Sequence, residues 1–208
     1  KYTSEQVTKA IHAGNQDYDT RKGYNPGDKE ELTETDMVKI MEHANSVGVQ
    51  IIPLINTPGH MDAILYAMGS GTDALNAVRN PAYSTSKTTI NIADTQAVDF
   101  TQALLQKYIT FFASKGCTLF NMGADEYGND VNKTPHFSDI VRSGDYKSYI
   151  AHINAVASMV GNAGMTPMAF NDGIYYNKQT GHATINNNII VCYWSCGWYG
   201  YDVAPAYW

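Results

Sequence analysis

The sequence predicts an α/β fold in which helices alternate with the strands of a parallel sheet. Two observations support this prediction. Apolar residues recur at helical spacing in three segments, and each segment is followed by a glycine turn and a short apolar run. Strands that alternate with helices form parallel sheets with right-handed crossovers. The pattern therefore indicates either a doubly wound sheet or a (β/α)8 barrel.

The first helix is predicted to begin after Thr33, because Thr33 and Asp36 have the spacing of a capping box. Apolar residues then recur at helical spacing as far as Val47, and Gly48 supplies the left-handed residue that ends the helix. Residues 49–55 follow as a nearly continuous apolar run. This run predicts a strand that is buried on both faces.

The same unit recurs twice more. Asp94 is a suitable N-cap for a second helix, and Gly116 ends that helix before a predicted strand at 117–122. The apolar stripe of this helix comprises Val98, Leu104, Leu105, Tyr108, Ile109 and Phe112. A third helix is predicted at 146–160, followed by strands at 166–170 and 189–193. No linker or internal sequence repeat interrupts the chain, so residues 1–208 are predicted to form a single domain.

Composition narrows the classes of partner. The chain has 208 residues, a net charge of −6 and no run of Lys or Arg, which argues against nucleic acid and anionic membranes as partners. No apolar run approaches the roughly 20 residues that a membrane helix needs. Cys117, Cys192 and Cys196 lack paired metal-ligand spacing, so we interpret them as buried thiols, with a bridge between Cys192 and Cys196 as the alternative.

Polar and aromatic segments follow all four predicted strands, at residues 56–60, 123–126, 171–173 and 194–198. The carboxyl ends of parallel strands are where α/β folds build their active sites. A phosphate site would need a Gly-rich loop with Lys or Arg, and a common serine hydrolase would need G-x-S-x-G; neither pattern occurs. The combination favours a carbohydrate-binding cleft.

Asp125 and Glu126 are the strongest candidates for chemistry. Two adjacent carboxylates repel each other in a partly dry cleft, which favours holding one of them protonated as a general acid. A solvated loop or a helix cap is the structural alternative. His60 could orient a carboxylate or cap a helix. A metal site formed by His60, Asp62, Asp125 and Glu126 is a further alternative, although no H-x-x-x-H or H-E-x-x-H spacing supports it.

Asn171, Asp172 and the aromatic residues after the fourth strand complete the candidate site. The two polar residues could form an Asx-type turn or line the cleft. Indole and phenol rings suit a sugar pocket, although packing against a helix is equally compatible with composition. The aromatic candidates are Trp194, Trp198, Tyr199 and Tyr201.

Four ordered segments resemble glycoside hydrolase family 20, the β-N-acetylhexosaminidases, and especially the catalytic modules of Gram-positive surface exo-β-N-acetylglucosaminidases. They are IPLINTPGHMDA at 52–63, FNMGADEY at 120–127, MAFNDG at 168–173 and YWSCGW at 193–198. The chain departs from the family pattern at Ala124, where Gly is common, and at Asn171, where Trp is common. A lone G-x-D-E would be unspecific, but four matches in order are specific.

The resemblance implies a (β/α)8 barrel, of which this chain would hold a central portion of about four strands. It also implies a retaining glycosidase that removes terminal β-linked N-acetylhexosamine, with the substrate's acetamido group as the nucleophile. Glu126 would then be the general acid and base, and Asp125 would orient the acetamido group. No cofactor is expected. The partner would be a glycan or glycoconjugate, and the location secreted or attached to the cell surface.

The resemblance also implies which other residues bind the sugar. Trp194 would form a wall of the acetamido pocket, and Tyr199 or Tyr201 would bind the acetamido carbonyl. His60, Asn171 and Asp172 would have supporting or binding roles in the cleft. Two alternatives from other classes stay open at this point: a non-catalytic protein that binds N-acetylglucosamine, and a different, metal-dependent barrel enzyme.

Overall fold

The computed structural model describes residues 32–61, 64, 89–90, 92, 95–127, 145–174 and 184–194. Within them lie helices α1 (Glu34–Ser46), α2 (Thr95–Ser114) and α3 (Asp145–Asn162), and the four strands of one sheet. The strands are β1 (Leu54–Thr57), β2 (Leu119–Gly123), β3 (Thr166–Phe170) and β4 (Ile190–Cys192). All neighbours pair in parallel, in the order β1-β2-β3-β4. The predicted alternation of helices and parallel strands is confirmed.

Helix α1 begins as the sequence predicts. The Thr33 hydroxyl accepts a hydrogen bond from the backbone N–H of Asp36, and the Asp36 carboxylate accepts one from the backbone N–H of Thr33. This capping box satisfies two N–H groups that the helix itself leaves unpaired. Gly48 follows the helix with a left-handed φ of 73°. Val47 was predicted to lie on the apolar stripe, but it is exposed and forms the C-cap.

Helix α2 contributes most of its predicted stripe to the core. Leu104, Leu105, Ile109 and Phe112 are buried. Tyr108 was predicted to belong to the same face, but 38% of it is exposed. Its ring lies at the margin of the buried face, where an amphipathic residue can keep its hydroxyl in water. The predicted N-cap, Asp94, lies outside the described residues.

Strand β1 differs from its prediction. Residues 49–55 were predicted as a fully buried strand, yet the strand begins only at Leu54, and Val49 and Leu54 are 55% and 45% exposed. Among the described strands, β1 pairs only with β2 and so lies at the edge of the described sheet. An apolar run by itself does not distinguish an edge strand from a central one.

The other strands are displaced by one or two residues from their predictions, or match them. Strand β2 begins at Leu119, where the sequence predicted residue 117, and β3 spans the predicted range. Cys117 therefore precedes the strand and is buried, while Cys192 ends β4 and is half-buried; both are free thiols. Cys196 lies outside the described residues.

The described helices include none that is long and apolar enough to cross a membrane.

Candidate active site

The turn after β2 has an unusual backbone. Gly123, Ala124 and Glu126 all have left-handed φ angles, of 72°, 67° and 50°. This conformation costs a residue with a side chain about 1–3 kcal/mol and persists only where surrounding contacts hold it. The Asn121 side chain begins that support, since its Oδ1 accepts a 2.9 Å hydrogen bond from the backbone N–H of Gly123. The turn is thus held in a strained shape at the carboxyl edge of the sheet.

The two adjacent carboxylates of this turn meet a histidine from the end of β1. His60 Nε2 lies 3.4 Å from Asp125 Oδ2 and 3.3 Å from Glu126 Oε2. The three side chains are one-fifth to one-third exposed, so they open onto solvent. His60 itself has a left-handed φ of 51°. The structure therefore brings together three of the residues that the sequence singled out, from two different strand ends.

The other oxygen of Asp125 lies in a different environment. Asp125 Oδ1 is buried and has no hydrogen-bond partner among the residues that the structure describes. A buried acceptor without a donor is costly, on the order of 1–3 kcal/mol.

The end of β3 contacts both this turn and the residue after β4. Asp172 is only 4% exposed. Its Oδ2 accepts a 2.8 Å hydrogen bond from the backbone N–H of Glu126, and its Oδ1 accepts one of 2.8 Å from the indole Nε1 of Trp194. The neighbouring Asn171 accepts from the backbone N–H of Trp194 through Oδ1, at 2.9 Å. Asp172 therefore links Trp194 to the backbone of the turn that carries the two adjacent carboxylates.

Burial dominates the electrostatics of Asp172. Desolvation raises the pKa of its carboxyl from 3.8 to about 6, and Asp125 adds to the increase, while the bonds from Glu126 and Trp194 oppose it. The carboxylate form needs these donors, because an ionised group removed from water is stable only when it is hydrogen-bonded.

Helix α3 supplies a residue that sequence reasoning did not identify. The hydroxyl of Tyr149 donates a 2.6 Å hydrogen bond to the carbonyl oxygen of Ala124, inside the strained turn. Burial, followed by the nearby carboxylates of Asp172 and Asp125, raises the pKa of Tyr149 well above its usual value, so the hydroxyl stays protonated. The ring stacks on Tyr127 with centroids 4.7 Å apart. Only its place on the buried face of α3 could have marked Tyr149 beforehand.

A second buried contact that sequence reasoning did not identify joins the end of β1 to helix α3. The Thr57 hydroxyl and His152 Nε2 are 2.8 Å apart, and both residues are buried. Burial lowers the pKa of His152 from 6.5 to about 4, so the imidazole is neutral near pH 7. Nothing in the sequence connects residue 57 with residue 152, which are brought together by the packing of α3 on the sheet.

Some predicted site residues cannot be placed. Tyr199, Tyr201 and Trp198 lie outside the described residues, as does Asp62. The described residues contain no group of three or more His, Cys, Asp or Glu side chains arranged to hold a metal ion. His60, Asp125, Glu126, Asn171, Asp172 and Trp194 do converge at one edge of the sheet.

Two sequence comparisons identify related proteins. The family model described as glycosyl hydrolase family 20, catalytic domain, matches residues 3–201. The lacto-N-biosidase of Bifidobacterium bifidum is 28% identical over 170 residues, which cover 78% of this chain and 14% of that protein.

The solved structures that this chain resembles are also of family 20 enzymes. Two structures of StrH, the pneumococcal exo-β-D-N-acetylglucosaminidase with tandem GH20 catalytic modules, superpose with a TM-score of 0.81 at 35% identity. The match covers 99% of this chain and 48% of theirs. A GH20 exo-β-N-acetylglucosaminidase from Vibrio harveyi gives 0.57 at 20% identity, over 79% of this chain and 26% of its own, a likeness of fold alone. The chain spans about half the length of the StrH structures, and the likeness confirms the predicted barrel class, of which four strands are described.

Proposed function

Because the chain belongs to glycosyl hydrolase family 20, we propose that it forms part of an exo-acting glycosidase that removes terminal β-linked N-acetylhexosamine from glycans. N-acetylglucosamine is the proposed sugar, since the similar StrH structures are of an exo-β-D-N-acetylglucosaminidase. The observation that carries the proposal is the cluster of His60, Asp125 and Glu126 at the carboxyl edge of the sheet.

Glu126 is the proposed general acid and base. Its carboxyl group is about one-third exposed, so it can reach the glycosidic oxygen of a substrate in the cleft. In the first step it donates its proton to that oxygen while the bond from the oxygen to the anomeric carbon breaks. In the second step it accepts a proton from the water that attacks the same carbon. His60 Nε2, at 3.3 Å, is placed to hold the carboxyl group in one orientation.

Asp125 is the proposed partner of the acetamido group. Its carboxylate, in a side chain about one-fifth exposed, can accept the acetamido N–H. The acetamido oxygen then attacks the anomeric carbon within the same molecule, and the carboxylate stabilises the positive charge that develops on nitrogen as the oxazolinium ring closes. Attack within one molecule has a high effective concentration, so the protein need only orient the group and stabilise its charge.

Trp194 is proposed as a wall of the acetamido pocket, next to this carboxylate. Asp172 and Asn171 fix its indole N–H and its backbone N–H, respectively. An apolar ring face suits the methyl group of an acetamide. Tyr199 and Tyr201 stay candidates for the phenol that binds the acetamido carbonyl. A secreted or surface-attached location is also proposed, because the sequence resembles catalytic modules of Gram-positive surface exo-β-N-acetylglucosaminidases.

Substitution of the two carboxylates tests the proposal. Glu126→Gln and Asp125→Asn are expected to lower kcat for a 4-nitrophenyl N-acetyl-β-glucosaminide by about 10²–10⁴-fold, the usual contribution of a positioned acid or base. Substrate binding should be largely kept. The assay uses this chain and a version that spans the full length of the matched catalytic domain. Glu42→Gln, at an exposed glutamate on α1, is the matched control and should leave turnover unchanged.

Three outcomes would contradict parts of the proposal. Unchanged turnover in either carboxylate variant would remove that residue from its role. Binding of N-acetylglucosamine without turnover by the unsubstituted protein would indicate a binding protein. Loss of activity with a chelator would indicate a metal-dependent enzyme.

A further inference from the structure

The sequence resemblance implied a supporting or binding role for Asp172, and its surroundings favour the supporting role. The side chain is 4% exposed, and each of its oxygens faces a donor from the protein itself. One donor is the backbone N–H of Glu126 and the other is the indole N–H of Trp194. The residue is therefore joined to residues that follow both neighbouring strands, β2 and β4, and presents little surface to a ligand.

The bond to Glu126 acts on a residue that needs support. Glu126 has a left-handed φ of 50°, and Ala124, two residues earlier, has one of 67°. Neither residue has the freedom of glycine, so external contacts must hold both in place. Asp172 holds the N–H of Glu126, and Tyr149 holds the carbonyl oxygen of Ala124. The direction in which the Glu126 carboxyl group leaves the turn depends on these two bonds.

Gly173, the residue after Asp172, packs closely against both the Tyr149 hydroxyl and the Ala124 carbonyl group. A Cβ atom on Gly173 would lie 2.1 Å from the Tyr149 hydroxyl oxygen and 2.4 Å from the carbonyl oxygen of Ala124. The end of β3 and the turn after β2 are thus packed without space for a methyl group. Close packing of this kind transmits a small displacement from one strand end to the next.

We propose that Asp172 is a positioning residue whose carboxylate couples the backbone of the acid/base Glu126 to the indole of Trp194. This inference rests on the proposed function of Glu126. The carboxylate sets the orientation of the acid through the backbone N–H and the orientation of the pocket wall through the indole N–H. One buried side chain thereby aligns the group that protonates the leaving oxygen with the wall beside the attacking acetamide.

A comparison of two substrates with different leaving groups distinguishes a positioning role of Asp172 from a purely structural one. Asp172→Asn keeps the size of the side chain but replaces one acceptor oxygen with a donor nitrogen, so one of the two bonds is lost. A misplaced acid matters when the leaving oxygen needs a proton, as in a methyl N-acetyl-β-glucosaminide. It matters little for a 2,4-dinitrophenyl leaving group, which departs as an anion. Both substrates share the later step in which Glu126 acts as the base, so we compare kcat/KM, which reports the cleavage step. We expect kcat/KM to fall by about 10²-fold for the methyl glycoside, a typical cost of misplacement by 1 Å, with little loss for the dinitrophenyl glycoside.

Trp194→Phe provides the matched control. It removes the indole N–H, keeps an aromatic wall and leaves the bond from Glu126 to Asp172 in place. We expect a higher KM for both substrates and an unchanged ratio of their kcat/KM values. Equal losses on both substrates in Asp172→Asn, or the same change of ratio in both variants, would overturn the positioning role.

Indole NMR tests the contact independently of turnover. The chain has three tryptophans, so three indole N–H resonances are expected, and the one lost in Trp194→Phe identifies Trp194. In Asp172→Asn this resonance should shift by more than the other two, and an unmoved resonance would overturn the coupling. If Asp172→Asn fails to fold, hydrogen exchange is measured in the unsubstituted protein instead. Rapid exchange at the Glu126 amide or the Trp194 indole would overturn the proposed coupling. An unsubstituted protein that hydrolyses neither glycoside would contradict the proposed function, while the resonance still tests the contact.

Discussion

At the amino ends of the strands, the turn from each preceding helix is made by a glycine with a left-handed backbone. Gly48, Gly116 and Gly164 have φ angles of 73°, 85° and 84°, and a Cβ atom added to any of them would meet nothing within 4 Å. Glycine adopts this conformation without steric cost. The turns are therefore encoded by residue type alone.

At the carboxyl ends, the same backbone conformation occurs in residues that carry side chains. His60, Ala124 and Glu126 have φ angles of 51°, 67° and 50°. A hydrogen bond that the Asp172 carboxylate accepts and one that the Tyr149 hydroxyl donates hold this edge in place. The comparison shows that one end of the sheet is shaped for stability with local means, while the other uses tertiary contacts to hold side chains where chemistry needs them.

The largest expected effects come from two buried titratable groups, Asp172 and His152. Burial shifts the pKa of each, and both groups lie near the carboxyl edge of the sheet. The folded-state pKa of Asp172 is raised by burial to about 6, so the stability that this group contributes is present below pH 4 and lost as the pH rises towards 6. The pKa of His152 is lowered by burial to about 4, so its contribution is present above pH 6.5 and lost as the pH falls towards 4. The two dependences have opposite signs.

Substitution of either residue should therefore reveal a pH dependence of the unfolding free energy that is partly cancelled in the unsubstituted protein. Relative to that protein, Asp172→Asn should gain stability as the pH rises from 4 to 6, and His152→Gln should gain it as the pH falls from 6.5 to 4. Each difference should reach about 3 kcal/mol, since one pKa unit corresponds to about 1.4 kcal/mol. Urea unfolding across this pH range measures both. Parallel curves for all three proteins would show that neither group titrates differently on folding.

A pair of glycine substitutions compares the two ends directly. Gly116→Ala at the amino end should cost only the left-handed conformation, about 1 kcal/mol. Gly123 has a φ angle similar to that of Gly116, but the Cβ atom that Gly123→Ala adds would lie 1.7 Å from Asn56 Oδ1. Overpacking should add roughly 1–3 kcal/mol and displace the turn that carries Glu126. Equal losses of unfolding free energy in the two variants would show that the carboxyl end is no more crowded than the amino end.

The smallest expected effect concerns a local helix signal. Thr33→Ala removes the capping-box hydroxyl of α1 and should cost about 1 kcal/mol of unfolding free energy, with turnover unchanged. Thermal unfolding and the glycosidase assay measure the two quantities. A fall in turnover as large as that of Asp172→Asn would mean that the site responds to general destabilisation.

The sequence could predict features that depend on local signals. The capping box at Thr33, the glycine turns and the alternation of helices with strands along the chain all follow from residues close together in the chain. It could also predict that His60, Asp125, Glu126, Asn171, Asp172 and Trp194 lie at one edge, because carboxyl ends of parallel strands share an edge.

Features that depend on distant contacts were not predictable. The exposure of Leu54 depends on the position of β1 at the edge of the described sheet. Tyr149 acts on Ala124 across 25 residues of sequence, and Asp172 binds the backbone of Glu126 across 46. A backbone donor carries no residue signature, so the sequence offered a supporting or binding role for Asp172 and could not indicate this bond.

The most direct test of the proposed function compares two chromogenic substrates that differ only at the 2-position. A version of the protein that spans the full length of the matched catalytic domain is assayed with 4-nitrophenyl N-acetyl-β-glucosaminide and with 4-nitrophenyl β-glucoside. If the acetamido group is the nucleophile beside Asp125, only the first is hydrolysed at a measurable rate. Comparable hydrolysis of both would contradict substrate-assisted chemistry at this site.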